Sequence, residues 1–247
     1  MSKVIPHNWE VPQVFRDRLG AHAGRQRTMH HEGHLLVILH EPPKAGVGER
    51  VARIHWRKPD GTWKSTGSGS TNIAALRALV EEYQQAEDAM EARAASAQKS
   101  TDWFGLIHDT APLLRAARGL HAALQEAREH AKTDQGVISL RDTAQDIERS
   151  LELIHNHAKS GLDFAIAKGS EDAAKNSEHV VESGHRLNLI AATFLPITAL
   201  GSLFGMQLEH GLEHENAPYV FWGVAAVAFL LGLVVRGTLP KAKRPTA

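Results

Sequence analysis

The chain has no cysteine in 247 residues, which removes disulfides, thiolate nucleophiles and cysteine zinc sites at once. It has no surplus of either charge, with 28 basic side chains against 28 acidic ones, so the whole-chain balance holds nothing to attract a nucleic acid. Aromatic residues are sparse, at 6%. The opening MSKVIPHNWEVPQ lacks the continuous apolar stretch of a secretory leader, and the first residues are expected to stay in the cytoplasm. GSGST at 67–71 lacks the Lys-Ser/Thr pair of a phosphate loop at the required spacing and reads as a linker and helix cap.

What is present is a hydrophobic fraction of 43%, enough for one or two domains with real cores, and it is unevenly spread. Residues 187–206 and 219–235 carry no charge, against the roughly 20 apolar residues that cross a ~30 Å hydrocarbon layer. Both read as transmembrane helices. Tyr219 and Trp222 open the second run, where amphipathic rings favour an interface, and Pro218 suits a first helical turn. Arg186 precedes the first run, and Arg236, Lys241, Lys243 and Arg244 follow the second. The linker 208–217 holds Glu209, Glu213 and Glu215 without Lys or Arg. The positive-inside rule then puts both termini in the cytoplasm.

Ahead of these runs, HLLVILHEPP (34–43) and RVARIHWRKPDGTWKST (50–66) read as short strands, the second a hairpin turning at Pro59-Asp60-Gly61. From Asn72 onward the chain reads as helical. In three stretches, apolar or small residues step by alternating fours and threes, the repeat of a helix seam. One set runs Leu113, Ala117, Leu120, Leu124, Ala127, Ala131. A second runs Leu140, Ala144, Ile147, Leu151, Ile154, Ala158, Gly161, Ala165, and the two are expected to pair as an antiparallel hairpin. The third, from Ala173 to Gly205, passes without a break into the first apolar run. Its small residues permit close approach of like helices, so a homo-oligomer is expected.

RLNLIAATFLPITALGSLFGMQ at 186–207 resembles the stalk-to-membrane helix of the CorA-like divalent metal ion transporter family, which includes the ZntB zinc transporters; Gly205-Met206-Gln207 stands where members usually have Gly-Met-Asn. The resemblance implies an α+β membrane protein: a small cytoplasmic α/β domain, long coiled-coil-like helices, and a stalk helix continuing into the first of two C-terminal transmembrane helices. It also implies a homopentamer in the bilayer of the inner membrane. The expected segments are a small α/β portion at 1–71, a long-helix region at 72–169, stalk and first span at 170–206, an outside loop at 207–217, a second span at 218–239 and a basic tail at 240–247.

On this resemblance the chain is not an enzyme and carries no cofactor beyond its transported cation, with Mg²⁺ the default and Zn²⁺, Co²⁺ or Ni²⁺ the alternative. A membrane scaffold or regulator of the same fold is a further alternative. Five copies around an axis would turn one face of the first span inward: Leu187, Ala191, Leu195, Thr198, Ser202, then Gly205, Met206 and Gln207 at the outer mouth. Pro196 removes one backbone N–H there and marks a kinked helix. An uncharged amide ring suits an ion that keeps its water shell. In LEHGLEHEN, Glu209, His210, Glu213 and His214 form a nitrogen and carboxylate set suited to zinc, or an acidic rim that attracts cations. His30, His31, His34, His155 and His157 are lesser candidates that read more simply as surface.

Overall fold

The computed structural model describes residues 5–20, 22, 24–43, 51–67, 72–205 and 217–238. The chain divides into two compact units, Met1–Ala167 and Lys168–Ala247.

In the first unit, β1 (Arg27–His31), β2 (His34–His40), β3 (Ala52–Arg57) and β4 (Trp63–Ser65) form an antiparallel sheet in sequence order. The β1–β2 turn has two residues, Glu32 and Gly33, with His31 facing His34 across the ladder. Both turn residues take positive φ, 45° and 74°, the geometry whose twist matches the flanking strands. The β3–β4 hairpin closes through Lys58, whose N–H donates to the Thr62 carbonyl at 2.8 Å. Asp60 Oδ1 accepts from the Thr62 amide at 2.8 Å and from its hydroxyl at 2.7 Å. Gly61 supplies the left-handed φ of 87° that the turn requires.

Successive side chains of a strand point to opposite faces, and β2 is buried on both. Leu35, Val37 and Leu39 join one core with Trp63 and residues of the helices, while Leu36 and Ile38 join another with Ile5, Trp9, Phe15, Leu19, Met29, Ile54 and Trp56. The second core is closed by the N-terminal segment and the short helix α1 (Gln13–Asp17). Arg16 ties that segment down by donating to the carbonyls of Pro6 at 3.1 Å and Trp9 at 2.7 Å.

The opposite face carries α2 (Ala74–Ser96), α3 (Ser100–His130) and the first part of α4 (Gln135–Gly205). On α2, Leu76, Leu79, Val80, Tyr83 and Glu87 are buried, the stripe expected of a helix with one inward face. β1, an edge strand, lies along α3. Thr28 Oγ1 donates to the Ala123 carbonyl at 2.6 Å, Thr28 N–H donates to Glu126 at 3.1 Å, and Gln26 Nε2 donates to the Ala116 carbonyl at 2.7 Å. The bond from the Thr28 amide covers a backbone group that would otherwise invite another strand.

α3 and α4 are joined by four residues and run antiparallel, since their cross-contacts descend on one helix as they rise on the other: His121 with Glu148, Thr110 with His155, Trp103 with His157. Leu113, Ala117, Leu120, Leu124, Ala127 and Ala131 of the first seam are buried, as are Leu140, Ala144, Ile147, Leu151, Ile154 and Ala158 of the second. Gly161 lies against the Trp103 ring, where an added Cβ would come within 2.6 Å of Cε2.

The second unit holds the remainder of α4 and α5 (Ala217–Thr238). Gly232 lets α5 approach the α4 backbone so closely that a Cβ there would lie 3.0 Å from the Thr193 carbonyl oxygen. The expected α+β membrane architecture with two C-terminal transmembrane spans is corrected here: among the described residues no helix is long and apolar enough to cross a membrane. Absence of charge had stood in for apolarity. Asn188, Thr193, Pro196, Thr198 and Ser202 on α4 carry no charge yet contribute little transfer free energy.

Candidate functional site

The C-terminal part of α4 brings Leu187, Ala191, Leu195, Thr198 and Ser202 onto one helical face, at steps of four, four, three and four. All five side chains are exposed, Leu187 at 67% and Leu195 at 66%. Gly205 closes the helix. Met206, Gln207, Glu209, His210, Glu213 and His214 lie outside the described residues.

Pro196 sits inside this stretch. Lacking an N–H, it cannot bond to the Ala192 carbonyl one turn earlier. Threonines flank the defect: Thr193 Oγ1 donates to the Leu189 carbonyl at 2.8 Å and Thr198 Oγ1 donates to the Phe194 carbonyl at 2.9 Å. Back-bonding of this kind satisfies the hydroxyl and bends a helix. The Thr198 hydroxyl proton is therefore engaged within its own helix, and what it offers outward is an oxygen lone pair. The face as a whole is uncharged, with apolar side chains at 187, 191 and 195 and hydroxyls at 198 and 202. Such a surface can accept hydrogen bonds from a hydrated ion and cannot strip its water.

Among the described residues no three metal-ligating side chains come together to hold a metal. The candidate histidines of the first unit make other contacts. His34 Nδ1 accepts from Trp56 Nε1 at 3.2 Å, and its ring stacks on the indole at 5.7 Å. His30 stacks on His130 with centroids 4.0 Å apart, and His31 lies edge-on to Phe15. His155 Nδ1 lies 3.0 Å from Thr110 Oγ1, and His157 lies edge-on to Trp103. Burial, aided by the charges of Lys159 and Arg118, holds the His155 imidazole below its ordinary pKa.

Polar contacts that the sequence did not single out link the helices of the bundle. His121 Nδ1 is 2.7 Å from Glu148, which also lies 3.6 Å from Arg118. Glu87 of α2 accepts a hydrogen bond from Ser150 of α4. Burial raises the Glu87 carboxyl above the usual carboxylate range, against the opposing pull of that bond. Glu87 falls on the buried stripe of α2, and a carboxylate in an apolar stripe was the sequence signal available.

No family model and no curated protein matches the chain. Solved structures resemble its chain arrangement. The full-length CmaX protein is 15% identical with a TM-score of 0.45, over 92% of this chain and 82% of that one. The CorA magnesium transporter from Methanocaldococcus jannaschii is 12% identical with a TM-score of 0.39, over 85% and 77%. Likenesses this distant transfer neither activity nor assembly.

Proposed function

We propose that the protein is a homo-oligomeric divalent cation transport protein of CorA-like type at the inner membrane, a pentamer whose α4 helices line the cation path. The observation that carries this reading is the exposed apolar surface of the second unit: Leu187, Ile190, Phe194 and Leu195 on α4, and Trp222, Phe229, Leu230 and Leu233 on α5. Each such side chain gains roughly 1.5–3 kcal/mol when removed from water. Large apolar side chains left exposed along both helices mark an interaction surface. Copies of the chain and lipid are the proposed cover. Small residues at Gly184, Ala191 and Gly201 leave room for like helices to approach. The reading rests on this surface chemistry and not on the two spans withdrawn above.

Mg²⁺ is the proposed cargo, because Gln207 would present neutral amide oxygens to a hydrated ion. Liposomes containing the protein test this with Mg²⁺, Zn²⁺, Co²⁺ and Ni²⁺ flux. Wild type should conduct, Gln207→Ala should lose flux, and Gln207→Asn should keep it with sharper preference for Mg²⁺. Loss of Zn²⁺ flux alone on replacing His210 and His214 by alanine would make zinc the cargo. Negligible flux of every ion would leave the scaffold reading, which the engaged Thr198 hydroxyl favours. A monomeric wild type in native mass measurement would end the pore reading.

A further inference from the structure

We propose that the sheet face bearing the N-terminal segment carries, at the β3–β4 hairpin, a binding site for a phosphate-type oxyanion held by Lys58, Lys64 and His34. Strand register puts these side chains together. Lys64 is the cross-strand partner of Trp56, Lys58 lies two residues beyond Trp56, and His34 lies two residues before its other partner, Leu36. The Lys58 and Lys64 ammoniums stand 5.6 and 5.7 Å from the centre of the Trp56 ring. The indole itself is buried, 2% exposed, with Trp9 stacked on it at 6.0 Å.

The Trp56 N–H donates to His34 Nδ1 at 3.2 Å. That bond makes Nδ1 the acceptor and leaves the imidazole proton on Nε2. The rim around the indole thus offers two ammoniums and one N–H, all donors. Among the described residues neither ammonium has a carboxylate within ion-pair distance. Asp60, the acid whose carboxylate feels Lys58, accepts two bonds from Thr62 instead.

Holding two like charges at one ring costs Coulomb energy, and a cation–π contact at a half-exposed site returns only about 0.5–1 kcal/mol. A bound dianion would reverse the balance. Two ammoniums and one N–H beside the same indole call for several acceptor oxygens and two negative charges. A phosphate monoester offers three oxygens and about −1.5 to −2 charge at neutral pH, where a carboxylate offers two oxygens and one charge. Lysine serves such a group as a point charge. The phosphate could belong to a free metabolite or to a lipid headgroup.

The test is residue-resolved amine acetylation of the full-length wild-type protein, followed by mass spectrometry, at constant ionic strength set with chloride. Inorganic phosphate should slow modification of Lys58 and Lys64 about tenfold, equivalent to roughly 1.4 kcal/mol of protection, and leave Lys99 and Lys132 unchanged. Phosphatidylcholine vesicles containing phosphatidic acid, compared with phosphatidylcholine alone, separate the sources. Protection by the former without added phosphate assigns a headgroup, and protection by inorganic phosphate alone assigns a free ligand. In the Lys58→Gln/Lys64→Gln variant, saturable phosphate binding by calorimetry should vanish, and in Lys58→Arg/Lys64→Arg it should persist. Equal slowing at all four lysines, or none at Lys58 and Lys64 with either probe, overturns the proposal.

Discussion

At the residue scale, His55 is the most constrained titratable group described. It lies 2% exposed on β3, its Nδ1 is 2.7 Å from Ser65 Oγ, and its Nε2 is buried without a partner among the described residues. Burial, reinforced by the charge of Arg53, lowers its pKa from 6.5 to about 4. The folded protein therefore holds His55 neutral where the unfolded chain would protonate it. The stability this contributes is complete above pH 6.5 and is lost as pH falls toward 4. Between pH 7.5 and 4.5 the loss should be about 2–3 kcal/mol. Urea unfolding of wild type and His55→Gln at the two pH values measures it, and the variant should lose that much less; equal losses in both would assign the pH dependence elsewhere. Gly161 is constrained by volume instead. Its missing Cβ makes room for Trp103, so Gly161→Ala should cost about 1–3 kcal/mol. Adding Trp103→Leu should recover part of that cost, whereas strict additivity of the two changes would place the strain outside this contact.

Among the elements, α4 begins on a cap that the sequence alone did not reveal. Asp134 Oδ1 accepts from the amides of Gly136 at 3.1 Å and Val137 at 3.3 Å, while Oδ2 accepts from Arg57 of β3 at 2.9 Å. One carboxylate thus caps the helix and joins it to the sheet. Asp134→Ala should cost about 1–2 kcal/mol from the lost cap and more from the stranded Arg57, while Asp134→Asn should retain the cap and lose only the ion pair. Thermal melts of the two variants test the ordering; equal melting points would mean the cap contributes nothing. The α3 and α4 seams were legible because a two-helix contact repeats a local period over many turns. The β3–β4 hairpin was legible because Pro59-Asp60-Gly61 states its turn chemistry. β1 was not legible: RTMHH does not alternate cleanly, its buried Thr28 hydroxyl is satisfied by a distant α3 carbonyl, and Glu32-Gly33 is a weaker turn signal than Asn-Gly. The histidines of MHHEGH, weighed as metal ligands, flank that turn.

At the scale of the whole molecule, the two units differ in how their apolar surface is covered. Among the described residues, the hydrophobic clusters are built from residues 5 to 158, all within the first unit. The second unit keeps large apolar side chains exposed along both its helices, and Ala228 is its buried hydrophobic residue among those described. The sequence revealed that contrast as a segregation of hydrophobic residues. It could not reveal what covers them, and of the expected outside loop at 207–217 all but Ala217 lies outside the described residues. If the first unit owes its stability to its own cores, residues 1–167 should fold alone, with a cooperative melt and a monomeric sedimentation profile in plain buffer. The full chain should need copies of itself or amphiphile to stay dispersed, because the apolar surface on α4 and α5 cannot be satisfied by water. Circular dichroism and analytical ultracentrifugation of both chains, with and without detergent, decide the matter. An unfolded 1–167 fragment would mean that the clusters depend on the second unit, and a dispersed monomeric full chain in plain buffer would remove the ground for any assembly through α4.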